Sequence, residues 1–395
     1  MFQAAIPVPA DAANTTGGLY SFDISFVDQT TQTYYLADRS NKAVDVANAK
    51  TDAFVKQISA KPPFAGVSSK GAEFSGPNGV LTARGCIIAT DTPSRVVSFT
   101  AAGSQVSDVS TGATDGSRAD ELAFDPKDNL LLVINPGSTI TPFGTLISVS
   151  SACKLTIGKK VSLPFATAGA EQPQWDPGTQ RFFLSIPQIM KIPQLGVVVR
   201  INPLTAVVDA TTSIVNCGPA GLALNPTNKT LLVGCNTVFD MAGDPWSGTD
   251  KVTAAPIEYI MGTDGFVQAV VPGVGAGDEV WFNGGDDHFY AAASSSPLAP
   301  SVVVSKATAV EQGAAILGAI DGTSQRLDQL VPTFNVPAVT GTGAHPAGSA
   351  HSVAANGANN QVLVPLAANN AYPGCTTGCV AVYSRSDIDL PGATD

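Results

Sequence analysis

The sequence has few charged residues, and this scarcity excludes several classes of protein. Only 13% of its 395 residues are charged, against 44% hydrophobic, with 38 glycines and 28 prolines. Long solvent-facing helices need many Lys and Glu residues, so the composition predicts strands and turns instead. The formal net charge is −11 and the isoelectric point about 4.6. Because no basic patch is available to bind a phosphate backbone or an anionic membrane surface, we expect neither nucleic acid nor membrane as a partner.

Long apolar runs and the common catalytic signatures are also absent. No run of 18 or more apolar residues occurs, which argues against a membrane-spanning helix. Met1-Phe2-Gln3 does not open a basic segment followed by an apolar one, so we expect that any export leader has been removed. There is no Gly-x-Ser-x-Gly elbow, His-Glu-x-x-His pair, phosphate loop or dinucleotide fingerprint. The main support for a serine hydrolase, a zincin or a nucleotide-driven enzyme is therefore missing.

The cysteines form an even set without Cys-x-x-Cys spacing, which favours disulfides over a zinc site. The set is Cys86, Cys153, Cys217, Cys235, Cys375 and Cys379. Cys217 and Cys235 flank two neighbouring predicted strands, and Cys375 and Cys379 could close a tight loop. We therefore expect an oxidising, periplasmic or extracellular location, the alternative being six buried thiols in a cytosolic β protein. Six cysteines allow about 15 pairings, so the full connectivity stays open.

A repeated segment is the strongest signal in the chain. Each copy has an apolar strand and a turn, preceded by a polar residue in every copy except that of Ala220. Five align without gaps: Asp120-Glu-Leu-Ala-Phe-Asp-Pro, Glu171-Gln-Pro-Gln-Trp-Asp-Pro, Ala220-Gly-Leu-Ala-Leu-Asn-Pro, Asp278-Glu-Val-Trp-Phe-Asn-Gly and His351-Ser-Val-Ala-Ala-Asn-Gly. Asp23-Ile-Ser-Phe-Val-Asp and Asn78-Gly-Val-Leu-Thr supply two more. A second apolar strand follows every copy, as in Leu131-Leu-Val-Ile-Asn135. The spacing of roughly 40 to 70 residues is near that of propeller blades.

Seven such repeats predict an all-β fold, a seven-bladed β-propeller with four-stranded antiparallel blades, as a single domain over residues 1–395. The predicted blades span approximately residues 19–60, 75–110, 118–165, 170–212, 217–270, 277–330 and 349–385. Little follows Tyr383 that could form the last outer strand, so residues 2–9 are expected to complete that blade and close the ring. Insertions at 241–253, 297–324 and 340–349 are expected to form a lid or binding wall on one face. The second of them could hold a short helix around Val310 to Ile320.

The residue before each inner strand is predicted to line the channel where the blades converge. This column of residues is Asp23, Asn78, Asp120, Glu171, Ala220, Asp278 and His351, and the next position adds Glu121, Gln172 and Glu279. Clustered carboxylates raise one another's pKa or recruit a cation. The alternative is that Asp and Asn here only bond backbone N–H groups in turns, as we expect for Asp125-Pro, Asp176-Pro and Asn225-Pro.

The pattern Tyr34-Tyr-Leu-Ala-Asp-Arg-Ser-Asn-Lys-Ala-Val-Asp-Val, with Thr51 opening the next turn, resembles the YVTN/NHL class of propeller repeat. The first-strand pattern also resembles the regucalcin/gluconolactonase-like superfamily, in which Glu, Asn and Asp side chains hold a divalent cation at the channel. The resemblance implies metal ligands at the matching positions Asp23, Asn78, Asp120, Glu171 and Asp278. Such oxygen ligands suit Ca²⁺ or Mg²⁺ more than Mn²⁺ or Zn²⁺, although His351 permits the latter two. This chain departs from that family by opening its first blade with Asp and by adding His351.

Together these features predict a metal-dependent enzyme acting on a small molecule at the propeller axis, with lactone or ester hydrolysis as the leading reaction. The expected proton-transfer residues are His351, Glu121, Asp120 and Glu279, and the expected substrate contacts are Arg118, His345, Gln172 and Trp281. For Arg118 the alternative is a salt bridge, and for Trp281 it is packing between blades.

Two other functions stay open. Virginiamycin-inactivating lyases share the propeller and use a metal with a His base, so His351 keeps a lyase as an alternative. A non-catalytic exported binding or interaction propeller is the other. We expect His288, in the turn Asp286-Asp-His-Phe, to be an exposed loop residue. The oligomeric state is not predicted.

Overall fold

The structure is a computed structural model that describes residues 2–245, 256–275, 278–293, 316–333, 351–369 and 373–385. In these ranges 28 strands form seven four-stranded antiparallel sheets. The predicted all-β, seven-bladed propeller is therefore confirmed. Helix in the described residues is limited to one 3-10 turn, Ala72–Phe74.

In the first six blades the strands follow chain order from the channel outward. Blade one contains β2 (Ser25–Asp28), β3 (Thr33–Asp38), β4 (Ala43–Asn48) and β5 (Ala53–Ile58). Blade two contains β6 (Val80–Ala83), β7 (Cys86–Asp91), β8 (Arg95–Thr100) and β9 (Gln105–Ser110). Blade three contains β10 (Leu122–Asp125), β11 (Leu130–Asn135), β12 (Phe143–Val149) and β13 (Leu155–Ser162). Blade four contains β14 (Pro173–Asp176), β15 (Arg181–Ile186), β16 (Leu195–Asn202) and β17 (Val207–Val215). Blade five contains β18 (Cys217–Asn225), β19 (Thr230–Val238), β20 (Ile257–Gly262) and β21 (Val267–Pro272). Blade six contains β22 (Val280–Asn283), β23 (His288–Ala293), β24 (Ile316–Asp321) and β25 (Arg326–Pro332).

The seventh blade is built from both ends of the described chain. It contains β26 (Ala354–Asn356), β27 (Gln361–Leu366), β28 (Cys379–Ser384) and, as its outer strand, β1 (Phe2–Pro7). The register of β1 on β28 runs antiparallel from Phe2 opposite Tyr383 to Pro7 opposite Cys379. The predicted ring closure is thus confirmed, and it covers the edge that β28 would otherwise expose.

The hydrophobic core lies between the blades. Buried apolar side chains of the described residues form seven clusters, each joining two adjacent blades. The strands alternate side chains between their two faces, so each blade packs against both neighbours and its central strands are apolar throughout. In β11, for example, Leu132 and Ile134 pack toward blade four while Leu131 and Val133 pack toward blade two.

Turn chemistry is as predicted at the ends of the inner strands. The Asp125 carboxylate accepts a hydrogen bond from the Lys127 N–H at 2.8 Å, and Asp176 accepts one from the Gly178 N–H at 2.9 Å. Asn225 accepts one from the Thr227 N–H at 3.0 Å. These residues shape the turns into the second strands.

Two expectations of local structure are wrong. Ile316–Asp321 is the strand β24 and not the end of a helix, because its apolar residues pair with β23 inside blade six; residues 310–315 lie outside the described residues. His288 is only 3% exposed and opens β23, where its Nδ1 lies 2.6 Å from the Asp286 carbonyl oxygen and Arg385 contacts its ring. Asp328 of β25 and Arg385, which directly follows β28, lie against the ring of His288. The turn sequence alone does not show these contacts between strands.

All six cysteines are paired in three disulfides. The predicted Cys217–Cys235 and Cys375–Cys379 bonds are present, and the third joins Cys86 of β7 to Cys153 in the turn before β13. Three disulfides are typical of proteins from an oxidising environment.

Candidate functional site

The predicted column of polar residues lies at one end of the channel, where the inner strands begin. Backbone hydrogen bonds join some of these starts to the next blade: Ile24 N–H to Asn78 O at 3.1 Å, and Glu279 N–H to His351 O at 3.2 Å. The three long insertions leave and rejoin the sheets at this same face. They follow the ends of β19, β23 and β25 and precede the starts of β20, β24 and β26. We call this face the loop face.

Three members of the column converge on one point. Asp23, Asp278 and His351 each offer one ligand atom, and the three atoms lie within 4.8 Å of one another. His351 Nε2 is 3.6 Å from Asp23 Oδ1. The imidazole stacks on Phe22 with ring centroids 4.9 Å apart and planes 3° apart, which fixes its orientation. Two carboxylates and one imidazole are a donor set that divalent cations accept.

Two arginines also enter this site, and one of them, Arg39, was not anticipated. Arg39 bonds Asp23 Oδ2 and donates to Asn78 Oδ1 at 2.7 Å. Arg118 lies 3.2 Å from Asp23 Oδ2 and 2.8 Å from Asp120 Oδ2. The salt-bridge alternative for Arg118 is therefore present, and the oxygens of Asn78 and Asp120 face guanidinium groups.

The local charges shift the pKa values of Asp23 and His351. Burial alone would raise the pKa of Asp23, but Arg39, His351 and Arg118 outweigh it, so that pKa lies below its usual value. Burial alone would lower the pKa of His351, but Asp23 and Asp278 outweigh it, so that pKa is raised. Asp23 and His351 thus lie at ion-pair distance, 3.6 Å apart, and the charge of each favours the ionised form of the other.

Asp120 and Glu171 titrate close to neutral pH. Burial raises the pKa of Asp120 to about 7, with Arg118 opposing the shift and Asp23 adding to it. Burial, together with the charges of Asp120 and Asp278, raises the pKa of Glu171 to about 8. A carboxyl with a pKa near 7 suits proton transfer at neutral pH.

The next layer of the channel contains Glu121, Gln172 and Glu279, which are 4%, 5% and 1% exposed. Glu279 Oε2 accepts hydrogen bonds from the Ser25 N–H at 3.2 Å, the Val353 N–H at 3.2 Å and the Ser352 hydroxyl. Burial raises the pKa of Glu279 to about 8 although these bonds oppose the shift. Burial and neighbouring acids raise the pKa of Glu121 well above its usual value.

Gln172 is already engaged by the protein. Its Oε1 accepts hydrogen bonds from the Leu222 N–H at 2.7 Å and the Val280 N–H at 3.3 Å. Its Nε2 donates to the Val280 carbonyl oxygen at 3.4 Å. These contacts hold blades four, five and six together at the axis.

Beyond this layer the channel widens into a cavity of about 1000 Å³. Its lining includes Glu121, Gln172 and Glu279 and the turns that connect first and second strands, such as Thr30-Thr31 and Gly284-Gly285. The cavity therefore opens on the face opposite the loop face, which we call the turn face. Trp281 lines it and meets Phe26 edge to face at 5.5 Å.

The structure thus divides the predicted site residues into two groups. Asp23, Asp278 and His351 converge at the loop face with Asn78, Asp120 and Arg118 around them, whereas Glu121, Gln172, Glu279 and Trp281 line the cavity that opens on the turn face. His345 lies outside the described residues. The sequence pattern did not predict Arg39 because the predicted column contains only residues that precede the inner strands. Arg39 directly follows the second strand β3, which ends at the same face, and an arginine at that position was the available signal.

Comparison with known proteins shows the fold alone. The chain is similar to the solved structure of Kuenenia stuttgartiensis hydrazine synthase, with a TM-score of 0.66 and 10% sequence identity over 96% of this chain and 97% of that chain. No family model and no curated protein matches the chain. The YVTN/NHL and regucalcin-like resemblances therefore stay predictions. No helix among the described residues is long and apolar enough to cross a membrane.

Proposed function

We propose that the protein is a divalent-cation-dependent enzyme that hydrolyses a small lactone or ester at the loop face. The observation that carries this proposal is the convergence of Asp23, Asp278 and His351 within 4.8 Å. Oxygen donors outnumber nitrogen in this set, so we expect Ca²⁺ or Mg²⁺ ahead of Mn²⁺ or Zn²⁺. A bound cation would polarise a carbonyl or lower the pKa of a water molecule.

The surrounding residues have roles that follow from their contacts. Asp120, whose pKa is about 7, can take or return a proton at neutral pH. Arg118 Nε is buried and has no hydrogen-bond partner among the described residues, so a substrate oxygen that reaches this guanidinium would meet an unbonded N–H. Arg39 ties Asp23 to Asn78 and keeps the Asp23 carboxylate ionised. With His351 facing Asp23, we assign proton transfer in this group to Asp120, which Arg118 holds in place at 2.8 Å.

The first experiment is titration calorimetry of the chelator-treated protein with Ca²⁺, Mg²⁺, Mn²⁺ and Zn²⁺. We expect one site, with affinity at least tenfold weaker in Asp278→Asn and unchanged in Asp264→Asn, an exposed acid in the turn after β20. A lactone and ester panel with the restored metal follows, in which Asp120→Asn should lower turnover while metal binding is kept. The absence of any bound cation, or equal affinity in Asp278→Asn, would refute the site.

A second candidate is a non-catalytic exported binding propeller. It is favoured by one observation: the large cavity opens on the turn face, and none of Asp23, Asp278 and His351 lines it. Cation binding without turnover of any ester or lactone would support this candidate. For either function we propose a periplasmic or extracellular location, supported by the three disulfides.

A further inference from the structure

The cavity on the turn face has the size and lining of a small-molecule site. Its volume of about 1000 Å³ is at the upper end of the range for ligand pockets. The walls are half-buried aromatic and aliphatic side chains of the inner strands: Phe26, Phe124, Trp175, Leu224, Trp281 and Phe282. Five of these six have aromatic rings.

The closed end of the cavity contains one polar group that the protein leaves without a partner. The Glu121 side chain is 4% exposed and lines the cavity. Among the described residues, the influences on its carboxyl are burial and the charges of neighbouring acids, with no hydrogen bond and no cation beside it. By contrast, Glu279 is bonded through Oε2 to blades one and seven, and Gln172 bonds two backbone N–H groups. A buried carboxyl without a partner is costly unless a ligand supplies one.

No protein cation fills that role in the part of the chain that the structure describes. Arg118 is committed to Asp23, Glu73 and Asp120 on the loop face. The lining of the cavity holds a single basic residue, Arg84, which is exposed in the turn after β6 at the mouth. The closed end is therefore acidic, and the walls around it are aromatic.

We propose that this cavity binds a small organic ammonium ion, whose positive group lies against the aromatic walls and pairs with the Glu121 carboxyl, which the charge of the ligand keeps ionised. Aromatic faces attract such cations through the ring quadrupole, and the attraction is strongest where water is excluded. A metal ion would need several oxygen ligands, whereas among the described residues at this end Gln172 and Glu279 Oε2 are already hydrogen-bonded within the protein. The inference goes beyond the proposed hydrolase and does not depend on the Asp23, Asp278 and His351 site.

The test compares choline with 3,3-dimethylbutan-1-ol, its uncharged carbon isostere, by calorimetry in the presence of a chelator. Benzyltrimethylammonium serves as a larger cation for the same cavity. We expect at least one of the cations to bind, with affinity at least tenfold tighter than the isostere. Because the chelator removes divalent cations, a failure of the metal site does not affect this result.

Variants locate the binding. Glu121→Gln and Trp281→Leu should each weaken binding of the cation at least tenfold, and Glu121→Asp, which keeps the charge, should retain part of it. Phe266→Leu and Asp264→Asn, both at exposed positions in the turn after β20, are the matched controls and should bind as the wild type does. Melting curves confirm that each variant is folded.

Three results would overturn the proposal. They are no binding of either cation to the wild-type protein, equal affinity for choline and its isostere, and unchanged cation affinity in folded Glu121→Gln. If Trp281→Leu fails to fold, the Glu121 pair and the isostere comparison still decide the question.

Discussion

Replacing Glu258 with methionine should stabilise the protein, and the gain should grow with pH. Glu258 is fully buried in β20, and within the described ranges neither of its carboxyl oxygens has a hydrogen-bond partner. Its partners across the sheet are Gly234 in β19 and Val271 in β21, neither of which has a polar side chain. Burial raises the pKa of Glu258 well above its usual 4.5.

The size of the effect follows from proton linkage. The cost at pH 7 of a carboxyl of usual pKa 4.5 is at most about 3.4 kcal/mol, the value for a group that stays protonated there, since each pH unit corresponds to about 1.4 kcal/mol. Because the pKa is raised in the folded state, the stability that this carboxyl contributes is fully present below pH 4.5 and is lost as pH rises toward the folded-state pKa. Methionine cannot ionise and has no strongly polar atom, so it removes this loss.

Thermal unfolding between pH 4.5 and 7.5 measures the prediction. For a chain of this length, a gain of about 3 kcal/mol raises the midpoint by about 4 °C. Glu258→Gln is the control: it also cannot ionise, but it keeps a buried polar group, so it should show the same pH trend with a smaller gain. A gain that is constant with pH, or two variants that are both less stable than wild type at pH 7.5, would refute the reasoning.

Other parts of the fold give three more expectations. Replacing Cys86 and Cys153 by alanine should lower the free energy of unfolding by about 4 kcal/mol, because their bond closes 67 residues; no change in a denaturant titration would contradict this. Arg118→Met should destabilise the protein by about 3 kcal/mol at pH 8, because Asp120 loses its partner. The loss should be smaller at pH 5, where Asp120 is protonated, and melting curves at the two pH values test this. Deleting residues 2–7 should lower the melting midpoint and cause association, because it exposes the edge of β28; a monomer of wild-type stability by gel filtration and melting would argue against it.

Much of the architecture could be predicted because propeller blades repeat. Seven copies of one strand-and-turn pattern gave the number of blades, and the missing strand after Tyr383 gave the closure by Phe2–Pro7. Local patterns failed where packing between strands decides the outcome. Ile316–Asp321 is a strand because β23 and β25 pair with it, and His288 is buried because Arg385 and neighbouring strands cover it.

The candidate site was predicted in part. Alignment of the repeats placed Asp23, Asp278 and His351 at the same end of the channel. They lie close together because they occupy the same position in their repeats. The repeat did not reveal Arg39, since only blade one has an arginine there. It also did not reveal the aromatic cavity, because its rings lie three or four positions after the column and differ from blade to blade.

The closure of the ring by β1 and β28 has a consequence for how the chain folds. Phe2 pairs with Tyr383, so the last blade cannot assemble until the chain has been synthesised beyond Tyr383. Contacts between such distant residues carry a large loop-closure entropy, which slows folding. Until that step, residues 2–7 and the partly built seventh blade remain unpaired edges. During synthesis the molecule therefore passes through an open ring, in which a chaperone bound to either end would prevent association with other chains.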